Sequence, residues 1–293
     1  MSLVSTILVA VGYRLGGGTT ISATSDPSLA ACLQWLNETA LWITGICAEQ
    51  DSDLGRTIGT ITTVKAVITA ATKANPCQIT ATAHGLISSG TIESVIKGVV
   101  GMTELNDTEF TATYVSANAL TLGVNSTAYT TYTSGGYISK RKFSDLAATL
   151  YVPAQYTDDE GKSRCGWIVK AHSREPLELI TEKSLEDFDP VEAVEPAKFY
   201  VDGSNNICFP SYPDDAYTIK IPYYTLPTAL TAVGDTMPFL GFMDSVFIED
   251  VTIRAQNRDE YDTTVDMKWR SFLHERANRI IAMRKKISVS VGL

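Results

Sequence analysis

Apolar residues recur at helical spacing close to the start of the chain. Leu8, Val11 and Leu15 follow one another at intervals of three and four residues, which places them on one face of a helix. Glycines follow at 16–18, and glycine commonly ends a helix because its backbone adopts the left-handed conformation without strain. The pattern predicts a short first helix that ends at these glycines.

A second, longer helix is predicted over 28–49. The preceding Ser-Asp-Pro run at 25–27 supplies a capping side chain and a proline suited to a first helical turn. The apolar residues that repeat every three or four positions are Leu29, Leu33, Leu36, Ala40 and Ile43. Trp35 and Trp42, seven residues apart, share a neighbouring face. Such a helix either lies deep in a core or contacts another subunit, and with both readings open we name these tryptophans as candidate subunit-interface residues.

The composition changes between residues 66 and 139. This stretch contains fourteen threonines and only six charged residues, and glycine and asparagine punctuate its β-branched and aromatic side chains. The predicted strands are 67–72, 78–83, 93–96, 109–115, 119–122 and 136–138. We predict an inserted all-β domain over 65–139, barrel-like or sandwich-like, within a discontinuous domain made of 1–64 and 140–293.

A small β-element is predicted after this insertion. Strands are expected at 165–171 and 199–201. The segment 207–209 is expected to pair with 217–224 around a turn at 212–215, where proline and aspartate favour a reversal of the chain.

The C-terminal part of the chain predicts a long helix. Apolar residues from 240 to 285 recur at helical spacing, with one break near 257–259. The predicted fold class is therefore α+β, with a helical core, a small β-element and the inserted all-β domain.

Charge is distributed unevenly along the sequence. Residues 158–215 contain fourteen Asp and Glu against six Lys and Arg, which is typical of a solvated face. The end of the C-terminal helix is basic beyond what complements a helix dipole, and only Glu275 opposes this charge. We predict that these basic residues contact a partner; they are Arg270, Arg276, Arg279, Arg284, Lys285 and Lys286.

Length and composition favour a globular protein that acts away from membranes and nucleic acids. With 293 residues and 44% hydrophobic side chains, the chain can bury a sizeable core, while its net charge of −9 opposes bulk electrostatic binding to either polyanion. The apolar run at 3–11 is about half of the roughly 20 residues that a membrane span needs, and no basic residue precedes it as in a signal peptide. Five widely spaced cysteines predict reduced, buried thiols and a reducing cytoplasm.

The sequence offers no constellation of catalytic or metal-binding residues. His84, His172 and His274 lie in unrelated contexts, and none has a second ligand at metal-binding spacing. No phosphate-binding glycine loop and no nucleophile elbow is present. His84 is expected to cap a turn. We predict no enzymatic activity, no cofactor and no metal.

Three runs in the inserted domain resemble a small β-module that recurs in bacteriophage virion proteins and is often labelled by its likeness to a domain of ubiquitin-activating enzymes. The runs are 75–85 (NPCQITATAHG), 98–106 (GVVGMTELN) and 129–136 (YTTYTSGG). The module has no nucleotide-binding motif and no catalytic cysteine, so the label implies no ubiquitin chemistry.

A second resemblance covers most of the chain outside the insertion. Its runs are 196–203 (PAKFYVDG), 207–210 (ICFP), 212–213 (YP), 217–220 (YTIK), 223–224 (YY) and 226–230 (LPTAL). This order, before a long C-terminal helix, is similar to the head-to-tail connector and tail-tubular adaptor proteins of tailed bacteriophages. The helical core predicted above is then an adaptor core.

The resemblance implies a structural virion protein of the neck or tail, assembled in the host cytoplasm. It implies a homo-oligomeric ring of twelve subunits that docks on the portal protein and extends the DNA channel. DNA passes through without sequence-specific binding, and a nozzle, tail or fibre protein attaches to the ring. The basic C-terminal residues become candidates for portal or channel contact. The alternative is a carbohydrate-binding or host-surface-binding tail accessory protein that uses exposed aromatic residues of the inserted domain, namely Tyr114, Tyr129, Tyr132 and Tyr137.

Overall fold

The computed structural model describes residues 1–17, 21–189, 191–257 and 263–290, with the backbone alone at 186–187, 263–266 and 283–290. The chain divides into two compact units. One is a helical unit, Met1–Thr57 together with Tyr224–Leu293, and the other is a β unit, Ile58–Tyr223.

Four α-helices build the described part of the helical unit: α1 (Val4–Arg14), α2 (Leu29–Glu49), α3 (Asp244–Gln256) and α4 (Thr263–Ser290). The predicted first helix is confirmed, since α1 ends just before Gly16, whose φ is +73°. The helix predicted over 28–49 is also confirmed. The cap predicted within 25–27 is wrong, because the capping residue is Ser28, whose hydroxyl accepts a hydrogen bond from the Ala31 amide at 3.3 Å. A membrane-spanning helix must be both long and apolar, and none of the described helices meets both conditions.

Eighteen strands are formed by the described residues. In chain order they are β1 (Arg56–Thr62), β2 (Lys65–Val67), β3 (Ala70–Ala71), β4 (Cys77–Thr80), β5 (Thr91–Val100), β6 (Thr108–Ser116), β7 (Ala119–Leu122), β8 (Ser134–Lys140), β9 (Lys142–Phe143), β10 (Leu150–Pro153), β11 (Tyr156–Thr157), β12 (Ser163–Val169), β13 (Arg174–Leu179), β14 (Ala193–Val194), β15 (Lys198–Val201), β16 (Ile207–Cys208), β17 (Tyr212–Pro213) and β18 (Thr218–Thr225). Three short 3-10 helices lie at Thr103–Leu105, Glu182–Asp187 and Gly241–Met243.

The first sheet of the β unit has seven strands in the order β2-β8-β5-β6-β7-β4-β3. Its strands alternate inward and outward side chains, and the inward ones form an apolar core that includes Ile79, Ile96, Leu120 and Ile138. The strands predicted near 78–83, 93–96, 109–115, 119–122 and 136–138 are confirmed as β4 to β8, whereas the stretch predicted as one strand at 67–72 is divided between β2 and β3.

The second sheet has nine strands. Seven follow the order β1-β18-β12-β13-β15-β16-β9, with β10 paired to β18 and β11 paired to β12. A second core, with Phe143, Phe199 and Phe209 among its members, lies against it. The pairing predicted between 207–209 and 217–224 is wrong, because β16 pairs with β15 and β9 while β18 pairs with β12. The predicted turn at 212–215 begins with β17, which pairs in parallel with β14.

A glycine permits the close approach of β12 and β18. Gly166 has φ +79°, and a Cβ atom there would lie 2.5 Å from the Lys220 carbonyl oxygen. The register of β12 against β13 shifts at the same place, between Arg164 and Trp167. This position therefore requires glycine for both its backbone conformation and its lack of a side chain.

The predicted α+β fold class with a helical adaptor core is wrong. Large curled sheets dominate the described chain, which has eighteen strands and only four α-helices. The prediction missed strands such as β9, β11, β14 and β17 because each has only two residues, too few for a period-2 pattern to register.

Candidate interaction surface

The buried side chains in the described part of helix α4 form one narrow stripe. Leu273, Ala277 and Ile281 are four residues apart, and all three are buried. Because a helix turns by about 100° per residue, this stripe separates two flanks of α4.

One flank carries an aromatic ridge, formed by Trp269, Phe272, Arg276 and Arg279. The rings of Trp269 and Phe272 lie edge to face with centroids 5.7 Å apart. Their side chains remain 42% and 49% exposed, and Met267 nearby is 63% exposed. Adjacent large apolar side chains uncovered on one surface mark a place where another molecule binds.

Ion pairs order the arginines of the aromatic ridge. Arg276 pairs with Glu249 of α3, and Arg279 pairs with Glu275 one turn earlier. Arg14 of α1 lies 4.0 Å from the same oxygen of Glu249. The other oxygen, Oε2, is buried and accepts no hydrogen bond from the described residues. The Arg279 side chain stays 72% exposed despite its ion pair, so its charge is available to a partner.

The other flank of α4 borders a groove of about 680 Å³. Its lining residues are Trp42, Asp250, Arg254, Arg270, Ser271, Leu273, His274, Glu275 and Asn278. Trp42 of α2 faces His274 of α4 with ring centroids 5.9 Å apart. The groove therefore combines one aromatic wall with charged and amide side chains.

A buried carboxylate organises the polar side of the groove. Asp250 accepts a hydrogen bond from the Thr39 hydroxyl at 2.5 Å and forms an ion pair with Arg254 Nε at 2.9 Å. Arg254 also pairs with Glu38. Burial alone would raise the pKa of Glu38, but hydrogen bonds from Gln34 and Arg254, together with the charge of Arg254, lower it below its ordinary value. The charges of Glu38, Asp250 and Arg254 are thus satisfied within the helical unit.

No known protein-family model matches this chain, and none of the curated proteins compared with it is similar in sequence. The resemblances to bacteriophage head-to-tail adaptors and to the β-module of phage virion proteins are therefore wrong. Neither a family match nor the predominantly β architecture supports an adaptor. Both resemblances rested on short runs of common residues, which arise by chance in unrelated β proteins.

The structure distributes the predicted contact residues over both flanks of α4. Arg270 lines the groove, whereas Arg276 and Arg279 belong to the aromatic ridge. The side chains of Arg284, Lys285 and Lys286 lie outside the described residues. Of the predicted interface tryptophans, Trp42 lines the groove, and Trp35, two turns earlier on α2, is half-buried.

Sequence reasoning missed the outward position of Trp269 and Phe272. Trp269 is one of the apolar residues whose spacing predicts the C-terminal helix, and that pattern does not say whether its side chain is exposed. The spacing gives no signal for this, because Trp269 lies four residues before Leu273 and so continues the repeat of Leu273, Ala277 and Ile281.

The remaining reactive side chains are held in structural roles. His84 is confirmed as a turn cap, since its Nδ1 accepts from the Leu86 amide at 3.2 Å and its Nε2 lies 2.9 Å from the Ser116 carbonyl oxygen. All five cysteines are buried, and burial raises the pKa of Cys47 and of Cys165 to about 12. Among the described residues, no three His, Cys, Asp or Glu side chains converge as metal ligands.

Proposed function

We propose that this protein is a structural subunit without enzymatic activity that assembles with further copies of itself through the aromatic ridge of α4. The observation that carries the proposal is the exposed pair of Trp269 and Phe272. Covering the exposed part of two such side chains contributes on the order of 2 kcal/mol, which is enough to anchor a contact that other surfaces extend.

Charge complementarity favours a second copy of this chain as the partner that covers the aromatic ridge. Among the residues of α4 whose side chains are described, 267–282, four are Lys or Arg and one is Glu, whereas 158–215 in the β unit has fourteen acidic against six basic residues in its sequence. Each copy thus offers a basic surface and an acidic one. Opposite charges orient such a contact and increase its rate of formation.

A contact between two different surfaces repeats from copy to copy. Such head-to-tail contacts form a closed ring when a whole number of the rotations between neighbours adds up to 360°. This supports the proposal of a homo-oligomeric ring. The copy number of twelve stays a prediction. So does the position of the ring in a virion, between a portal protein and a nozzle, tail or fibre protein, because it came only from the corrected resemblance.

The alternative of a carbohydrate-binding face built from four tyrosines has less support. Tyr114, Tyr129, Tyr132 and Tyr137 are all half-buried. Tyr129 and Tyr132 pack against the core of the seven-stranded sheet, and Tyr132 also donates a hydrogen bond to the Ile68 carbonyl oxygen at 2.9 Å. Lys65 covers the ring of Tyr137. These rings are committed to contacts within the β unit.

Native mass spectrometry and light scattering over a range of concentrations test the proposal. We expect wild-type protein to form oligomers and a Trp269→Ser/Phe272→Ser variant to be monomeric. Tyr156→Ser is the matched control, because Tyr156 is 55% exposed on β11 in the other unit. Circular dichroism checks that every variant is folded. A wild-type protein that stays monomeric at all concentrations, or a ridge variant that assembles as wild type does, contradicts the proposal.

A further inference from the structure

A second concave surface lies in the β unit and is independent of α4. It is a cleft of about 860 Å³, within the size range of small-molecule sites. Its lining residues are Gly85, Leu86, Ile87, Ser88, Ser89, Thr91, Ile92, Glu93, Thr111, Lys140, Lys142, Ser144, Asp145 and Asn206.

Hydrogen bonds preform the walls of this cleft. The Lys140 ammonium donates to the Leu86 carbonyl oxygen at 2.7 Å, which holds the loop 85–90 against the end of β8. The same loop is held at its other end, where the Tyr114 amide donates to the Gly90 carbonyl oxygen at 2.9 Å. On the opposite wall, Lys142 of β9 pairs with Asp202 at 2.7 Å. A cleft whose backbone is tied at these points keeps its shape without a ligand.

The cleft concentrates hydroxyl groups that have no hydrogen-bond partner in the described part of the chain. Ser88, Ser89, Thr91, Thr111 and Ser144 are exposed, and their hydroxyls make no hydrogen bond to any described residue. Each can both donate and accept. A ligand that enters therefore meets five adaptable groups and displaces only water from them.

The charges of the cleft nearly cancel. Lys142 is neutralised by Asp202, and Glu93 lies 3.7 Å from Arg141. This leaves the Lys140 ammonium, which is 4.9 Å from the Phe143 ring centroid, and the exposed Asp145 carboxylate, whose charge acts on it. An anion would be opposed by Asp145, and a cation by Lys140.

A neutral ligand with many hydroxyl groups matches this arrangement. Its hydroxyls accept from Lys140 and donate to Asp145, while the half-buried side chains of Ile87 and Ile92 offer an apolar patch to the C–H face of a sugar ring. We propose that the cleft between the loop 85–93 and β9 binds a neutral saccharide.

Two measurements on the full chain test this proposal. The first is its binding to a printed array of neutral and acidic oligosaccharides and to inorganic phosphate, and the second is calorimetry with each ligand that binds. We expect a neutral saccharide to bind, and to bind at least tenfold more weakly to Lys140→Met and to Ser144→Trp. The second variant fills the cleft from an exposed position and leaves Lys140 in place, so it remains informative where Lys140→Met unfolds. Lys162→Met, a lysine outside the cleft that pairs with Glu160, is the control and should bind as wild type does.

Three results overturn the proposal. They are the absence of any bound neutral saccharide, binding that neither cleft variant weakens, and binding confined to sialylated sugars or to inorganic phosphate, which makes the cleft an anion site. None of these results bears on self-assembly through α4, which is measured separately.

Discussion

The phenol of Tyr212 donates a hydrogen bond to Oε1 of Glu109 at 2.5 Å, although the two residues are 103 positions apart. Glu109 lies on β6 of the seven-stranded sheet, and Tyr212 lies on β17 of the two-stranded sheet. Arg141 completes the contact, with its guanidinium 3.0 Å from Glu109 and 5.2 Å from the Tyr212 ring centroid. Tyr212 is fully buried whereas Glu109 reaches the surface, so this contact joins two sheets of the β unit from the core to solvent.

Replacing Tyr212 by phenylalanine should destabilise the β unit. The change removes the hydroxyl but keeps the ring, and a hydrogen bond to a charged acceptor contributes roughly 1.5 to 3 kcal/mol. Urea denaturation should show this loss for Tyr212→Phe and none for Tyr156→Phe, whose hydroxyl is on an exposed residue. Equal stability of the two variants would show that the Glu109 contact contributes nothing.

Gly166→Ala should be more destabilising than Gly161→Ala. Both glycines have nearly the same positive φ, +79° and +78°, so each alanine incurs a backbone strain of about 1 to 2 kcal/mol. Only at Gly166 does the new methyl group also meet the Lys220 carbonyl oxygen, whereas Gly161 has open space around it. We expect the Gly166 variant to lose at least about 1 kcal/mol more in thermal or urea unfolding. Similar losses at both positions would mean that β12 and β18 separate easily.

Arg279→Glu should weaken self-association. The side chain is largely exposed and, among the described residues, forms its ion pair with Glu275 of its own helix, so the substitution changes the charge of the aromatic ridge without opening the core. Exposed charge pairs contribute about 0.5 to 1 kcal/mol, which corresponds to roughly a threefold weaker association. Sedimentation velocity at low and high salt measures the association of the wild type and of the variant, and the difference between their affinities should shrink at high salt. Lys73→Glu makes the same charge change at an exposed position of the β unit and should have no effect.

Stability should fall at acid pH partly through Asp202. Burial alone would raise the pKa of this carboxyl, but hydrogen bonds from Lys142 and Asn206 and from backbone amides lower it far below its ordinary value. A carboxyl whose pKa is depressed by folding stabilises the protein above its unfolded pKa, near 3.9, and this contribution is lost as the pH falls below that value. The free energy of unfolding, measured with urea, should therefore fall less between pH 7 and pH 3 for Asp202→Asn than for wild type.

The control for this experiment is Asp159→Asn, which alters an exposed carboxyl of the same sheet region. It should keep the wild-type difference between pH 7 and pH 3. If Asp202→Asn lost as much unfolding free energy between pH 7 and pH 3 as wild type does, groups other than Asp202 would cause the acid sensitivity.

The five thiols should be unreactive in the folded protein. All are buried, and burial raises the pKa of Cys32 and Cys208 to about 11, so little thiolate forms at neutral pH. Labelling with a disulfide reagent should be slow in buffer and should reach five thiols per chain in denaturant. A thiol that reacts at once in buffer would reveal local opening around it.

Part of the fold was predictable because its signals are local. The repeated leucines of α2 act within one helix, and the strands β4 to β8 follow one another with turn residues between them. The proposed boundaries of an inserted domain at 65 and 139 stay a prediction. The seven-stranded sheet runs from Lys65 to Lys140, while the compact unit that contains it runs from Ile58 to Tyr223.

The sequence by itself determined the element types wherever a period of 2 or 3.6 residues extends over several turns or pleats. Only the tertiary structure decided that β16 pairs with β9 and β15, that β13 and β15 are parallel, and that the chain is predominantly β. It also decided which aromatic side chains of α4 stay exposed and which hydroxyls line the β-unit cleft. The physical reason is that strand pairing and side-chain exposure depend on partners far away in the sequence, which no local pattern specifies.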